Sequence, residues 1–505
     1  MKHNEHKSQH IPHPLQNHRV NLATIATWAM FSRGLEPEFS NAVHAQLEEF
    51  KSPAQENRSD IRDLTTLPWC SIDNDDSRDL DQLTASEKLP NGGVRIFVAV
   101  ADVDALVKKG SPIDQHARLN TTSVYTSARI FPMLPEQLSN DLTSLNPNQI
   151  RLALINEMEF RNDGALLNSS IYRGRVLNKA QLAYDAVSSW IDGEGDLPEA
   201  AQRIHGMDAQ IRMQDALAQK LRKIRHTQGA LEFQTFQPRA LFENDRISDI
   251  KQQVQNRARQ IIEELMIATN GCTARFLVQH GIPAFRRIVR SPERWLRIVE
   301  VAHEYGETLP NEPDGKALEN FLAKQHKADP LRFPDLSLVI IKLMGSGEYI
   351  VERPHNEPIG HFGLAVQDYT HSTAPNRRFP DLITLRLIKS VLNGTGSPYS
   401  NAELDELAAH CTAQEDAAKK VERQMRKSEA ALLLHSRIGQ RFNGVVTGSG
   451  THGVWVRIFE PPAEGRLTGD VSELKVGLPV RVRLVSTSVE RGFIDFVLTH
   501  STDNF

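Results

Sequence analysis

Ser71-Ile72-Asp73-Asn74-Asp75-Asp76-Ser77-Arg78-Asp79-Leu80-Asp81-Gln82 is the stretch on which the reading of this chain turns. Five carboxylates fall within nine positions, directly after the apolar Leu67-Pro68-Trp69-Cys70. Close carboxylates repel and resist joint ionisation unless positive charge offsets them. A hard divalent cation supplies that charge: magnesium takes oxygen ligands and prefers one or two carboxylates together with substrate phosphate. Two other readings compete, a solvated acidic loop and a calcium loop. An EF-hand requires glycine at its sixth position and glutamate at its twelfth. Counted from Asp73, those positions hold Arg78 and Thr84, so the calcium reading fails. The stretch alone reads as a solvated acidic loop or as a magnesium site for phosphodiester chemistry, and the segments downstream favour the second.

A chain of 505 residues is long enough for about two to four domains, each with its own core. Lys and Arg number 59 against 63 Asp and Glu, a net charge of -4, so a nucleic-acid partner must bind through a local basic channel. Cys70, Cys272 and Cys411 are widely separated and have neither metal-site spacing nor a disulfide framework, as expected in a reducing compartment. No apolar run approaches the length of a membrane span. The first twenty residues carry His3, His6, His10, His13 and His18 without an apolar core, which reads as a polar tail. Cytoplasmic residence and no membrane partner are expected.

Outward from the acidic run, Asn21–Arg33 and Glu36–Phe50 read as helices separated by Gly34, followed by a polar linker over Lys51–Arg62. Val94, Ile96, Val98 and Val100 alternate as in a strand. Helical spacing covers Asp208–Ile224 and Val254–Gln279, and Ser400 is a plausible cap for a long helix reaching Ile438. That helix carries Lys419, Lys420, Arg423, Arg426 and Lys427 as one basic stripe, read as a solvated face balanced by Glu415, Asp416 and Glu422. Gly439–Val497 changes character to short Val- and Arg-rich runs between turn residues, the pattern of a small barrel.

Several further segments follow in order: Thr122-Ser123-Val124-Tyr125, Phe131-Pro132-Met133-Leu134-Pro135, Ser144-Leu145-Asn146-Pro147, Gly229-Ala230-Leu231-Glu232-Phe233, Ile261-Ile262-Glu263-Glu264-Leu265-Met266, and His361-Phe362-Gly363-Leu364-Ala365 continuing through Tyr369 to Leu382. Together with the acidic run they resemble the ribonuclease II family of processive 3′-to-5′ exoribonucleases. The resemblance implies an α+β chain: a large mixed RNB catalytic domain over residues 63–395, preceded by a tail and short helical N-terminal segment over 1–62. A connecting helix over 396–438 and a C-terminal all-β OB barrel of the S1 type over 439–505 would follow. Larger family members place two cold-shock barrels before the catalytic domain. The roughly sixty residues ahead of it here read as helical, which would leave RNA capture to the C-terminal barrel and the channel.

The resemblance further implies hydrolysis of single-stranded RNA to 5′-nucleoside monophosphates with Mg2+, or Mn2+, as cofactor. Asp73, Asp79 and Asp81 match three of the family's metal-site aspartates. Gln82 stands where the fourth is expected; its amide oxygen can ligate a cation but brings no charge. Asp81 and Arg377 would be the catalytic pair, with Arg377 beside the scissile phosphate. Asn376 and Ala374 depart from the family pattern in the same loop. RNA would meet Tyr125 and Phe233 as stacking aromatics, Tyr184 near the terminal nucleotide, and Glu264 at the terminal ribose. In the barrel, Phe442, His452, Trp455 and Phe459 with Arg457, Arg481 and Arg483 are candidates for a stacking and basic face. No obligate protein partner is evident, and a monomer is expected. The alternative reading is an RNA-binding regulatory protein on the same fold, its metal site weakened by Gln82.

Overall fold

The alternation at Ile96, Val98 and Val100 belongs to the strand Val94–Ala101, which is buried on both faces. Its even residues join one hydrophobic cluster with helices Met207–Thr227 and Arg257–Gln279. Its odd residues Phe97, Ala99 and Ala101 join a second cluster with helix Phe379–Leu392. The strand therefore sits mid-sheet with helices on both sides. The computed structural model describes residues 18–235, 238–252, 255–330, 332–354, 359–450, 453–469, 474 and 476–499; His452 and most of the histidine-rich tail lie outside them.

Among the described residues the sheet has seven strands in the order Arg62–Asp63, Leu166–Leu177, Ile150–Phe160, Val94–Ala101, Gln82–Lys88, Cys70–Asp73 and Ala180–Ala183. Most neighbours are antiparallel, but Cys70–Asp73 runs parallel to Ala180–Ala183 with Asp73 opposite Ala183. The acidic run is thus the crossing between two adjacent strands, one ending at Asp73 and the next beginning at Gln82.

The N-terminal helix spans His18–Phe31, and Gly34 stops the chain behind it at φ +73°. The second helix is shorter than the sequence suggests, Asn41–Glu49. It starts late because the Ser40 hydroxyl accepts from Val43 N and caps it there. The stretch read as a polar linker is anchored. Glu56 takes both terminal nitrogens of Arg173 at 2.6 and 2.8 Å, Arg173 reaches Asp102 at 3.0 Å, and Lys389 reaches Asp102 at 2.8 Å. Asp102 is fully enclosed, so two cations hold its charge in the interior.

Helix Asn401–His435 is capped by Ser400, whose hydroxyl accepts from Glu403 N at 3.1 Å. It packs along the N-terminal helix and ends against a closed five-stranded barrel, Arg441–Gly450, Gly453–Ile458, Ala463–Thr468, Pro479–Ser488 and Phe493–Leu498. Phe442, Val456, Leu467, Val482, Leu484 and Phe496 fill the barrel. Phe442, read as an RNA contact, is therefore core. No helix among the described residues is long and apolar enough to cross a membrane.

Asp102→Ala takes one of two acid partners from each buried cation, leaving Arg173 with Glu56 and Lys389 with Asp104 at 2.8 Å, and a loss of about 1.5–3 kcal/mol is expected. A urea melt followed by tryptophan fluorescence checks it; a midpoint within error of wild type contradicts it.

Candidate active site

The acidic crossing is held from beneath. Ser144 Oγ accepts from Leu80 N at 3.0 Å and donates to Arg78 O at 2.8 Å, while Gln181 Nε2 donates to Ser77 O at 3.2 Å. Leu80 is buried, so the flanking Asp79 and Asp81 take fixed directions. Asp81 is 2% exposed. The parallel register of Asp73 with Ala183 sets Tyr184 beside Asp73, with the Arg259 guanidinium 4.4 Å over the tyrosine ring. Arg259 also donates to Asn74 Oδ1 at 2.7 Å.

A second loop meets the first. Thr373 N and Ala374 N both donate to Asp381 Oδ1, at 2.7 and 2.8 Å, and Arg378 Nη2 donates to the same oxygen at 2.8 Å. The tight turn so formed presents Asn376 N to Asp81 Oδ1 at 2.8 Å and Arg377 Nε to Asp81 Oδ2 at 3.0 Å. Asn376 is buried and its Oδ1 accepts from Thr143 Oγ1 at 2.6 Å, which gives that departure from the family pattern a packing role. Arg377 O accepts from Ser123 N at 2.9 Å and so ties in the strand carrying Tyr125. Tyr125 Oη donates to Asp79 Oδ2 at 2.8 Å, and Tyr125 N donates to Glu422 Oε1 on the long helix at 3.2 Å.

Two cavities meet at Tyr125. The larger, about 1020 Å³, runs past Asp79, Arg78 and Phe242 to Arg426 and Glu429 on the long helix. The smaller, about 210 Å³, holds Arg377, Arg378, His371 and Glu415. Ser123, Tyr125 and Glu422 border both.

Burial raises the carboxyl of Asp73 to about 6 and that of Asp81 to about 7; Arg377 opposes the shift in each case and Asp79 adds to it. Burial also raises the Tyr184 hydroxyl to about 12, with Asp73 adding to it. Burial alone would lower Arg377, but Asp81, Tyr125 and Asp79 outweigh it and hold the guanidinium firmly charged.

Among the described residues, no three His, Cys, Asp or Glu side chains already close on a metal-sized space. The cause is visible: Asp81 is turned onto Arg377 and Asn376, and Asp79 is taken by Tyr125. The donor set nevertheless fits a hard divalent cation. Asp73 Oδ2 is buried without a hydrogen-bond partner, and Asp73, Asp79 and Asp81 supply the oxygen ligands such an ion prefers. Gln82, 7% exposed, opens the next strand opposite Val100.

Not every residue singled out from sequence reaches this site. Glu264 is 1% exposed and forms a two-pronged ion pair with Arg225, Nε to Oε2 at 2.9 Å, on the wall of a separate cavity of about 660 Å³. Its neighbour Glu263 is the more exposed acid. Phe233 packs against the cluster of Trp295, Phe321 and Phe333, and the turn before it is locked by Gly229. At φ +98°, any Cβ there would meet the Gly315–Lys316 backbone within 3 Å. Arg457 is buried and pairs with Asp335 at 2.8 Å, joining the barrel to helix Phe333–Met344 instead of facing solvent. Trp455 is half-buried on the outer barrel surface, with Arg466 directly across the ladder. Sequence reading passed over Arg259, quoted Asp381 only as part of a matching segment and gave Glu422 only a charge-balancing place beside the basic stripe; the i to i+3 spacing of Arg378 and Asp381 was the available signal for their pairing.

A profile described as RNB domain matches residues 61–394. The chain belongs to the RNB-domain ribonuclease family. A second profile, the RNase II-type exonuclease C-terminal S1 domain, matches residues 440–499. Ribonuclease R of Escherichia coli is 32% identical over 491 residues, which cover 90% of this chain and 59% of that protein. Ribonuclease R 1 of Lactococcus lactis is 30% identical over 503 residues, covering 92% and 60%. The chain thus spans about 60% of the length of these relatives. Mycoplasma genitalium RNase R, solved with ribose-methylated single-stranded RNA, superposes with a TM-score of 0.85 at 22% identity, over 96% of this chain and 78% of that one. Yeast Ssd1, described as a pseudonuclease, gives 0.69 at 16% identity over 88% and 55%. Likeness at these identities speaks to the fold these RNB proteins share.

Asp381→Ala removes the acceptor of two buried amides, at a cost of roughly 2–6 kcal/mol. Hydrogen exchange at Thr373 and Ala374 is expected to speed up markedly; unchanged protection of both amides contradicts this account of the turn.

Proposed function

We propose that this chain is a divalent-metal-dependent, processive 3′-to-5′ exoribonuclease that degrades single-stranded RNA to 5′-nucleoside monophosphates. One observation carries the reading: Arg377 holds Asp81 and lines the small cavity, Asp79 accepts from Tyr125 and lines the large cleft, and the two cavities meet at that tyrosine, with Asp73 within electrostatic reach of Arg377 and Asp79. Family membership and the names of the relatives support the same reaction class.

Asp73, Asp79 and Asp81, with the Gln82 amide, would hold the metal. When bound, Mg2+ or Mn2+ supplies an activated water and neutralises charge building on the phosphate. The chain's own groups do the rest. Arg377, 40% exposed at its side chain, can offer a guanidinium edge to the scissile phosphate while Asp81 keeps it oriented. Tyr125, also 40% exposed, offers a ring face to any base, and stacking of this kind tolerates every sequence. Tyr184 stands beside Asp73, where the terminal nucleotide would lie. On the barrel, Trp455 and Arg466 give a stacking ring beside a cation for the incoming strand.

The regulatory alternative rests on Gln82 and on a pseudonuclease sharing the fold. Retention of Asp73, Asp79, Asp81 and Arg377 together weighs against it, because binding alone needs no such constellation.

RNA labelled at its 5′ or 3′ end, incubated with Mg2+ or EDTA, is expected to release mononucleotides from the 3′ end in a metal-dependent manner. Arg377→Ala should lower kcat by roughly 10²–10³-fold. Persistent binding without hydrolysis by wild type would favour the alternative. Gln82→Asp restores a fourth carboxylate, so half-maximal activity is expected at lower magnesium; an identical magnesium requirement would show that Gln82 does not tune the site.

A further inference from the structure

The basic stripe on the long helix, read from sequence as one solvated face, is divided by the fold. Lys419 pairs with Glu415 at 2.7 Å beside the small cavity. Arg426 faces the large cleft. Among the described residues four arginines line that cleft: Arg19, Arg78, Arg129 and Arg426. Arg19 pairs with Asp245 at 3.1 Å and covers the Phe242 ring; Arg129 pairs with Glu38 at 2.8 Å and covers Phe131. Arg78 and Arg426 are exposed and make no ion pair or side-chain hydrogen bond to any described residue. Asp76, Asp79, Glu136, Glu422 and Glu429 line the same cleft, so its overall field does not draw in a polyanion. Any hold on an RNA backbone there must come from individual guanidinium groups with free donors.

Their placement is specific. Arg78 precedes Asp79, which takes the Tyr125 hydroxyl. Arg426 lies one turn beyond Glu422, which takes the Tyr125 amide, a rise of about 6 Å. The two arginines thus approach from separate elements, the acidic crossing and the long helix. Neither lines the small cavity that contains Arg377. Both line the large cleft, which meets the small cavity of Arg377 at Tyr125, and the strand still to be degraded would lie in that cleft.

We propose that Arg78 and Arg426 form a two-sided clamp on the phosphodiester backbone of single-stranded RNA just upstream of Tyr125. It holds the strand in register while Arg377 acts on the terminal linkage. The clamp reads charge and carries no sequence preference, since phosphate contacts position a strand without specifying it. The inference rests on the exoribonuclease reading above and adds to it a binding subsite of this chain.

The experiment is a salt titration of RNA affinity. The full chain, kept in EDTA to spare the substrate, is titrated with a fluorescent homopolymeric RNA at several salt concentrations. Single-stranded binding loses about 0.7 from the slope of log affinity against log salt for each phosphate contact removed. Arg78→Ala and Arg426→Ala are each expected to flatten the slope by about that amount, and the double variant by about twice it. Arg78→Lys and Arg426→Lys should restore most of it. Arg161→Ala, which removes a surface arginine paired with Asp163, is expected to leave the slope as in wild type. Slopes unchanged in Arg78→Ala and Arg426→Ala overturn the clamp while leaving the exoribonuclease reading intact. Equal flattening by Arg161→Ala also overturns it, because the effect would then be one of net charge. Failure of wild type to bind RNA at all overturns the clamp and the functional reading together.

Discussion

A single carboxylate, Asp81, governs the geometry of the site. It is almost wholly removed from water, and burial pushes it toward the neutral form. Arg377 and the Asn376 amide oppose that push, one oxygen each. For them to do so, the turn from His371 to Arg378 must close tightly, and it closes because Asp381 gathers two amides and a guanidinium onto one oxygen. Strand Gln82–Lys88 fixes Asp81 from its own side. The two loops are distant in sequence, and the packing of the sheet against helix Phe379–Leu392 brings them together.

The same pair offsets the charge of the acids beside it. A guanidinium stands as internal counter-ion, and Tyr125 shields a second acid by donating to it. Such a site is polarised in advance. Its charges are already oriented and partly dry, the condition under which electrostatic stabilisation is strongest.

Much of this was legible in sequence because the decisive signals are local. The acidic run lies within one loop, Ser400 announces its helix, and alternating valines announce the central strand and the barrel. The misplacements share a cause of the opposite kind. Glu264, placed at the terminal ribose by the resemblance, is paired with Arg225 from another helix. Arg457 looked like a nucleic-acid contact, yet Asp335 lies across a domain boundary. Phe233 entered a helical lobe whose packing no local pattern revealed. The basic stripe divides: Lys419 pairs with Glu415 of its own helix, the balance read from sequence, while Arg426 faces a cleft that other elements complete. The linker failed in the same way, since Glu56 finds its partner more than a hundred residues downstream.

The two family matches stop at residue 394 and resume at 440, so the helix Asn401–His435 belongs to neither. Yet this unassigned segment supplies one side of the large cleft and the acceptor for the Tyr125 amide. Cutting the protein at its recognised domain borders would yield a trench missing a bank, its aromatic gate untethered, and a barrel without its footing. The connector is the shared beam of both rooms, and the smallest piece that keeps the cleft intact must include it whole.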